Sequence, residues 1–280
     1  MAMQIDKATG LGLNHQILDK QKSLSKTHEK LGTGKRINRA QDDAAGLAIA
    51  KLLESMSRGY KADSINIGDA MNAMNIGEGA SQGISDMLGR MKELSIQATN
   101  DTLNDSDRKA LNEEFQQLKQ EIDRQTKSTE FNTQDLLSGQ SPLSDGTGKF
   151  QVGPKGGDEN RIDVAKHDLS LESLDIMKAD ISTREGAALA MDGIDKANET
   201  VINSRVNFGV QYNRLEAANN NNENMNANTT AALQLIEDLD FAKGTMDKAR
   251  DDILNQSAIL AQRNFMDISR NSMLALLGQS

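Results

Sequence analysis

Residues 235–260 read LIEDLDFAKGTMDKARDDILNQSAIL, and the spacing within this stretch decides the fold class. Leu235, Leu239, Ala242, Met246, Ala249, Ile253, Gln256 and Leu260 alternate spacings of three and four residues, which aligns them along one face of a helix. Ile268, Leu274 and Leu277 carry the apolar character onward, so the region predicts one long helix. At about 1.5 Å of rise per residue, 40 residues would extend roughly 60 Å, too far for a small globule to cover.

Working outward, the N-terminal region offers a weaker partner: Leu13, Ile17, Leu24 and Leu31 on a seven-residue repeat, interrupted by Lys20 and Thr27 and ending near Gly32 and Gly34. Residues 32–46 mix Gly, Asn and Asp with Ala and predict an irregular segment before helix resumes at Leu47. A second helical block runs to about Thr99, with Ile84, Met87, Met91, Leu94 and Ala98 at seam spacing. Ser106 is the expected cap of the next helix, whose seam is Leu111, Phe115, Leu118 and Ile122. Its later counterpart is Ala187, Ala190, Ile194, Ala197, Val201, Ser204, Phe208, Leu215 and Ala218, where the small residues imply close helix approach.

Between these blocks, Phe150–Gly153 (FQVG) and Arg161–Val164 (RIDV) alternate apolar and polar positions across a Gly-rich loop, the pattern of a β-hairpin. The two prolines of the chain, Pro142 and Pro154, lie in the same region. The expected fold is mainly α, an elongated helical bundle or coiled coil with paired N- and C-terminal helices and a small β-hairpin insertion.

Composition agrees. The 280 residues are 37% hydrophobic but only 3% aromatic, so apolar area must come from narrow Ala, Leu, Ile and Met seams rather than a large spherical core. The absence of Cys excludes disulfides, Cys-ligated metal and thiol chemistry. No run of about 18 apolar residues spans a membrane, and Met1–Gly10 lacks the apolar core of a Sec signal peptide. The net charge of −9 argues against nucleic acid as a partner. Residues 1–46 and 235–280 together total +1 and the middle carries −10, a distribution suited to packed ends and a solvated middle.

Motifs for chemistry fail on inspection. Gly34-Lys35 lacks the P-loop's earlier Gly and its following Ser or Thr, since Glu29 and Arg36 stand there. His28-Glu29 begins like a zinc-protease helix, but Gly32 replaces the second His. No catalytic, cofactor-binding or metal-ligating residue is expected, and no cofactor.

The segment Lys30–Ala50, KLGTGKRINRAQDDAAGLAIA, resembles the N-terminal signature of bacterial flagellins. RMKELSIQATNDT (90–102), EIDRQTKSTEFNTQDLLSG (121–139), FQVG, NRLEAANNNNEN (213–224) and DLDFAKG (238–244) resemble further flagellin segments in the same order. The resemblance implies an inner-core coiled coil and spoke from 1–46 with 235–280, an outer-core helical domain from 47–138 with 184–234, and a short β-hairpin and loop region at 139–183. It also implies a non-catalytic structural subunit of an extracellular filament for swimming motility, exported without a Sec signal by the flagellar type III pathway. Its expected partners are other subunits, the export apparatus and a chaperone, and the filament cap and hook-junction proteins.

On the same resemblance, Lys35, Arg36, Asn38, Asp42 and Asp43 of the spoke join Leu235, Leu239, Met246, Ile253, Leu260, Leu274 and Leu277 as expected subunit-interface residues. Arg90, Leu94, Gln97 and Glu114 match the positions that the animal Toll-like receptor for flagellin contacts. A hook–filament junction protein shares the terminal helical plan and is the alternative.

Overall fold

The computed structural model describes the backbone of residues 2–277, with side chains described for residues 11–271 and for Leu274. Six helices dominate: α1 (Ala2–Thr33), α2 (Ala44–Ala98), α3 (Asp105–Ser128), the single turn α4 (Pro142–Asp145), α5 (Arg184–Glu237) and α6 (Phe241–Leu277). The strands are β1 (Glu130–Phe131), β2 (Gln134–Asp135), β3 (Lys149–Gln151) and β4 (Arg161–Asp163). The chain divides into two compact units, one of Met1–Ser55 with Asn228–Ser280 and one of Met56–Ala227.

Within the second unit, α2 turns one face inward through Ile67, Ala70, Met74, Ser81, Ile84, Leu88, Met91 and Ala98, all buried. These positions keep the three-four rhythm for almost nine turns. The helix α5 answers with Ala187, Ala190, Ile194, Ala197, Val201, Phe208 and Leu215, and α3 adds Phe115 and Ile122. Cross-helix bonds run Lys92–Asp195, Ser85–Asn198, Glu78–Arg205 and Ser57–Asn226, so α2 and α5 are antiparallel. Small residues set the spacing: a Cβ on Gly77 would stand 2.6 Å from the Phe208 ring. The seams expected on all three helices are present.

The FQVG–RIDV hairpin forms as β3 and β4, antiparallel with Phe150 opposite Ile162. A second hairpin, β1–β2, turns through Asn132 and Thr133, both at positive φ. The stretch leading into α5 is held by α3, where the Lys119 ammonium donates to the carbonyls of Met177 and Ala179. Burial lowers the Lys119 pKa, and the Asp180 carboxylate opposes that shift.

Two local expectations are corrected. The cap of α3 is Asn104 rather than Ser106: its side chain accepts the Asp107 N–H at 2.9 Å, and the Asp107 carboxylate returns to the Asn104 N–H, so both orphan donors are satisfied. The C-terminal seam is not one helix. The break falls at Asp238–Asp240, where the Asp240 carboxylate accepts the Lys243 N–H at 3.1 Å and starts α6.

Candidate assembly interface

The first unit is built on α1 and α6. Close pairs Leu31–Gly244, Ser23–Asp251 and Asn14–Gln262 run in opposite directions along the two helices, an antiparallel pairing. Gly244 and Asp251 are buried here, with Ala258 and Phe265 partly covered, at a seven-residue interval. Asp251 is only 3% exposed, and its carboxylate accepts the Ser23 hydroxyl at 2.9 Å. The pairing is therefore mixed: the Ser23–Asp251 bond crosses it, Ile17 is buried, and Leu13, Leu24 and Leu31, the rest of the seam expected on α1, are half-buried.

The expected seam residues lie elsewhere on the helix. Met246, Ile253 and Leu260 each follow a residue of the paired face by two positions, about 200° around a helix of 3.6 residues per turn. They point away from α1 and are 66%, 64% and 58% exposed. Leu235, at the end of α5, is 88% exposed, and Ile268 and Leu274 are exposed as well. Leu239 alone turns inward, meeting Leu31 over Gly244. Leu277 lies outside the residues with described side chains.

The turn between α1 and α2 lies against the α5–α6 break. Gly34 takes φ +72°, a left-handed value that glycine adopts freely, and closes α1. The Lys35 and Asp238 backbones form an isolated antiparallel β-bridge, in which the Arg36 N–H donates to the Glu237 carbonyl at 2.6 Å and the Leu239 N–H donates to the Gly34 carbonyl at 2.9 Å. The Lys35 ammonium stands 2.7 Å from the Glu237 carboxylate, which raises the Lys35 pKa. Arg36 donates to the Ile236 carbonyl and approaches Asp43 at 3.7 Å. The Asp42 carboxylate accepts the N–H groups of Arg39 and Asn38, and these bonds hold it below the usual carboxylate range. Asp43 caps α2 by accepting the Gly46 N–H at 2.8 Å. Beneath them Ile37 is fully buried. The polar residues of this segment thus bond within their own chain and fix the turn, while the Lys35 and Arg36 side chains stay about half exposed.

In the second unit, Arg90 pairs with Glu93 at 2.9 Å and Glu114 at 2.8 Å, all at the surface. Gln97 is exposed there too, whereas Leu94 has no exposed surface and supports that face from beneath. The four matched positions therefore do not form one exposed patch, because the buried stripe of α2 takes in Leu94.

Three apolar features escaped sequence reading. Phe241 stands exposed at the start of α6 and reaches to within 3.8 Å of a Cβ position on Gly34. Ile49 and Leu52 are exposed near the start of α2, and Ile202, Val206 and Val210 form an exposed line on α5. The i, i+4 spacing of the last three was the available signal, masked by the stronger buried seam beside it.

Among the described residues, no group of three or more His, Cys, Asp or Glu is placed to hold a metal ion, and no helix is long and apolar enough to cross a membrane. The one buried His, His167, stacks on Phe208 with ring centroids 3.7 Å apart. Its Nδ1 lies 2.9 Å from the Ser204 hydroxyl and its Nε2 3.3 Å from the Gln211 amide nitrogen. Burial pushes its pKa down to about 4, so the ring is neutral at neutral pH and serves packing.

Comparison with known proteins places this architecture. The family model described as the bacterial flagellin N-terminal helical region matches residues 8–141, and that of the C-terminal helical region matches residues 191–273. A flagellin of Halalkalibacterium halodurans is 39% identical, covering 94% of this chain and 93% of its own. A flagellar filament 30.7 kDa core protein of Treponema maltophilum is 33% identical over 84% of this chain and 87% of its own. Among solved structures, the crystal structure of Bacillus cereus flagellin superposes with a TM-score of 0.50 at 29% identity, over 56% of this chain and 88% of that one. A putative flagellar hook-associated protein from Vibrio parahaemolyticus superposes at 0.56 over 70% of this chain and 99% of its own, but at 13% identity it shares the fold alone. With both terminal-region models matched in chain order and a 39%-identical flagellin aligned along nearly the whole length, the chain belongs to the bacterial flagellin family.

Proposed function

We infer that this chain is a non-catalytic structural subunit of the extracellular flagellar filament, and that the outward stripe of α6 is a surface through which copies of the chain join. The observation that carries this reading is the opposition of faces on α6: one face covered by α1, and an apolar face of Met246, Ile253 and Leu260 left mostly exposed in the single chain. Fully burying a side chain of this size contributes roughly 1.5–3 kcal/mol. Leu235, Ile268 and Leu274 bring the exposed set to six. Their summed burial, on the order of 10 kcal/mol, is comparable to the 4–15 kcal/mol that association costs. A single pairwise contact is then marginal, and a subunit surrounded by several neighbours is stable, as a helical polymer requires.

The relatives support the same reading, since they are named flagellin and flagellar filament core protein. A junction role is not favoured, because the hook-associated likeness is confined to the fold.

The test is polymerisation of purified chain onto short filament seeds, viewed by electron microscopy. Wild type should form long filaments. The double variant Ile253→Asp, Leu260→Asp should form none while keeping the helical circular dichroism of the second unit. Filaments from the double variant at the wild-type rate would refute the assignment of this stripe, and wild type that never elongates would refute the filament role.

A further inference from the structure

The chain has no Cys, so its thioethers are the softest nucleophiles available to an oxidant. The methionines differ sharply in shielding. Met74 and Met91 are buried in the core of the second unit, whereas Met246 is 66% exposed, the most exposed methionine among the described residues. Its neighbours one turn either way on the stripe are Ala242 and Ala249, too short to screen the sulfur. It also sits in line with Ile253 and Leu260 on the face turned away from α1.

We propose that Met246 is an oxidation site through which peroxide-class oxidants block assembly of the unpolymerised chain. The inference rests on the filament reading above. The thioether sulfur attacks one peroxide oxygen: an S–O bond forms, the O–O bond breaks, sulfur loses two electrons, and the other oxygen takes up the proton and leaves as water from hydrogen peroxide or as an alcohol from an organic peroxide. The product is a sulfoxide, polar and chiral where the stripe had been apolar. Burying it without a hydrogen-bond donor opposite weakens the contact by about tenfold or more. Polymerisation covers the sulfur, so the polymer resists the oxidant that disables the monomer. A Leu at this position would be inert, and a Gln would mimic the sulfoxide permanently.

The experiment treats purified monomer with hydrogen peroxide, removes the oxidant, reads Met246 oxidation by peptide mass spectrometry and follows seeded polymerisation by light scattering. Treated wild type should polymerise about tenfold more slowly or worse. Met246→Leu treated alike should keep its untreated rate to within about twofold, and Met246→Gln should be slow without any oxidant. Met266→Leu, which leaves Met246 in place, should stay as sensitive as wild type. The proposal is overturned by treated wild type that carries the Met246 sulfoxide and polymerises at the untreated rate. It is equally overturned by a Met246→Leu chain that loses as much as wild type. A wild-type chain that forms no filaments before treatment overturns the filament reading and this proposal with it, whereas the two preceding results overturn this proposal alone.

Discussion

At the scale of single residues, the ionisable groups inside the second unit pull in opposite directions with pH. His167 is neutral in the fold, its pKa lowered to about 4 from 6.5 by burial. Between those values the unfolded chain binds a proton that the folded chain refuses, so stability falls as pH drops from 6.5 toward 4. At about 1.36 kcal/mol per unit this amounts to about 3 kcal/mol. Asp63 works the other way. It is buried with one carboxylate oxygen unpartnered, and burial raises its pKa, so its protonation in acid favours the fold. The His contribution must therefore be read as a difference. Urea unfolding of wild type and His167→Gln at pH 7 and pH 4.5 should show wild type losing at least about 2 kcal/mol more than the variant over that interval. Equal losses would mean that His167 accepts its proton without unfolding.

At the scale of elements, the helices were legible because burial repeats: each of α2, α3 and α5 packs one face, and period alone reveals that face. The close approach of α2 and α5 was legible too, in the alanines of α5. Elements set by local bonds were not. The β1–β2 turn uses Asn132 and Thr133 at φ 50° and 63°, and a β-branched residue is rare there, so sequence pattern gave no hairpin signal. The break before α6 depended on Asp240 acting as a cap in the middle of an unbroken apolar rhythm. The seam of α1 was legible at Leu13, Ile17, Leu24 and Leu31, whereas the face of α6 turned to α1 was not, because period identifies an apolar stripe but not which neighbour covers it. Glycines on α2 give the helix-scale prediction. Alanine ordinarily gains up to about 1 kcal/mol over glycine within a helix. Gly68 has open space beside it and Gly77 has the Phe208 ring, itself stacked on His167. Gly68→Ala should raise the urea midpoint of the second unit. Gly77→Ala should lower it, with a loss of about 1–2 kcal/mol in unfolding free energy, since overpacking outweighs propensity. Two variants shifting the same way would mean that Phe208 has room to move.

At the scale of the whole molecule, the two units are unequally provided with core. Among the described residues, the first unit buries Ile17, Ile37 and Ala50 as its apolar interior, while a continuous cluster from Ile67 to Leu215 fills the second. Local opening free energy follows buried apolar contact, so α1 and α6 should open far more often than α2, α3 and α5. Their surfaces carry cleavage sites in Lys22, Lys26 and Arg263, all exposed. Brief digestion of monomer with trypsin should remove α1 and α6 first and leave a resistant core close to residues 56–227. The imbalance has a functional consequence. On the filament reading proposed above, a terminal pair that is marginal alone and carries an outward apolar stripe should gain most of its order from neighbours, with folding of the first unit and growth of the polymer as one coupled step. Filaments digested under the same conditions should retain α1 and α6 intact. If the monomer resists as well as the filament, the terminal pair is already stable by itself, and assembly is docking of preformed surfaces rather than folding completed on arrival.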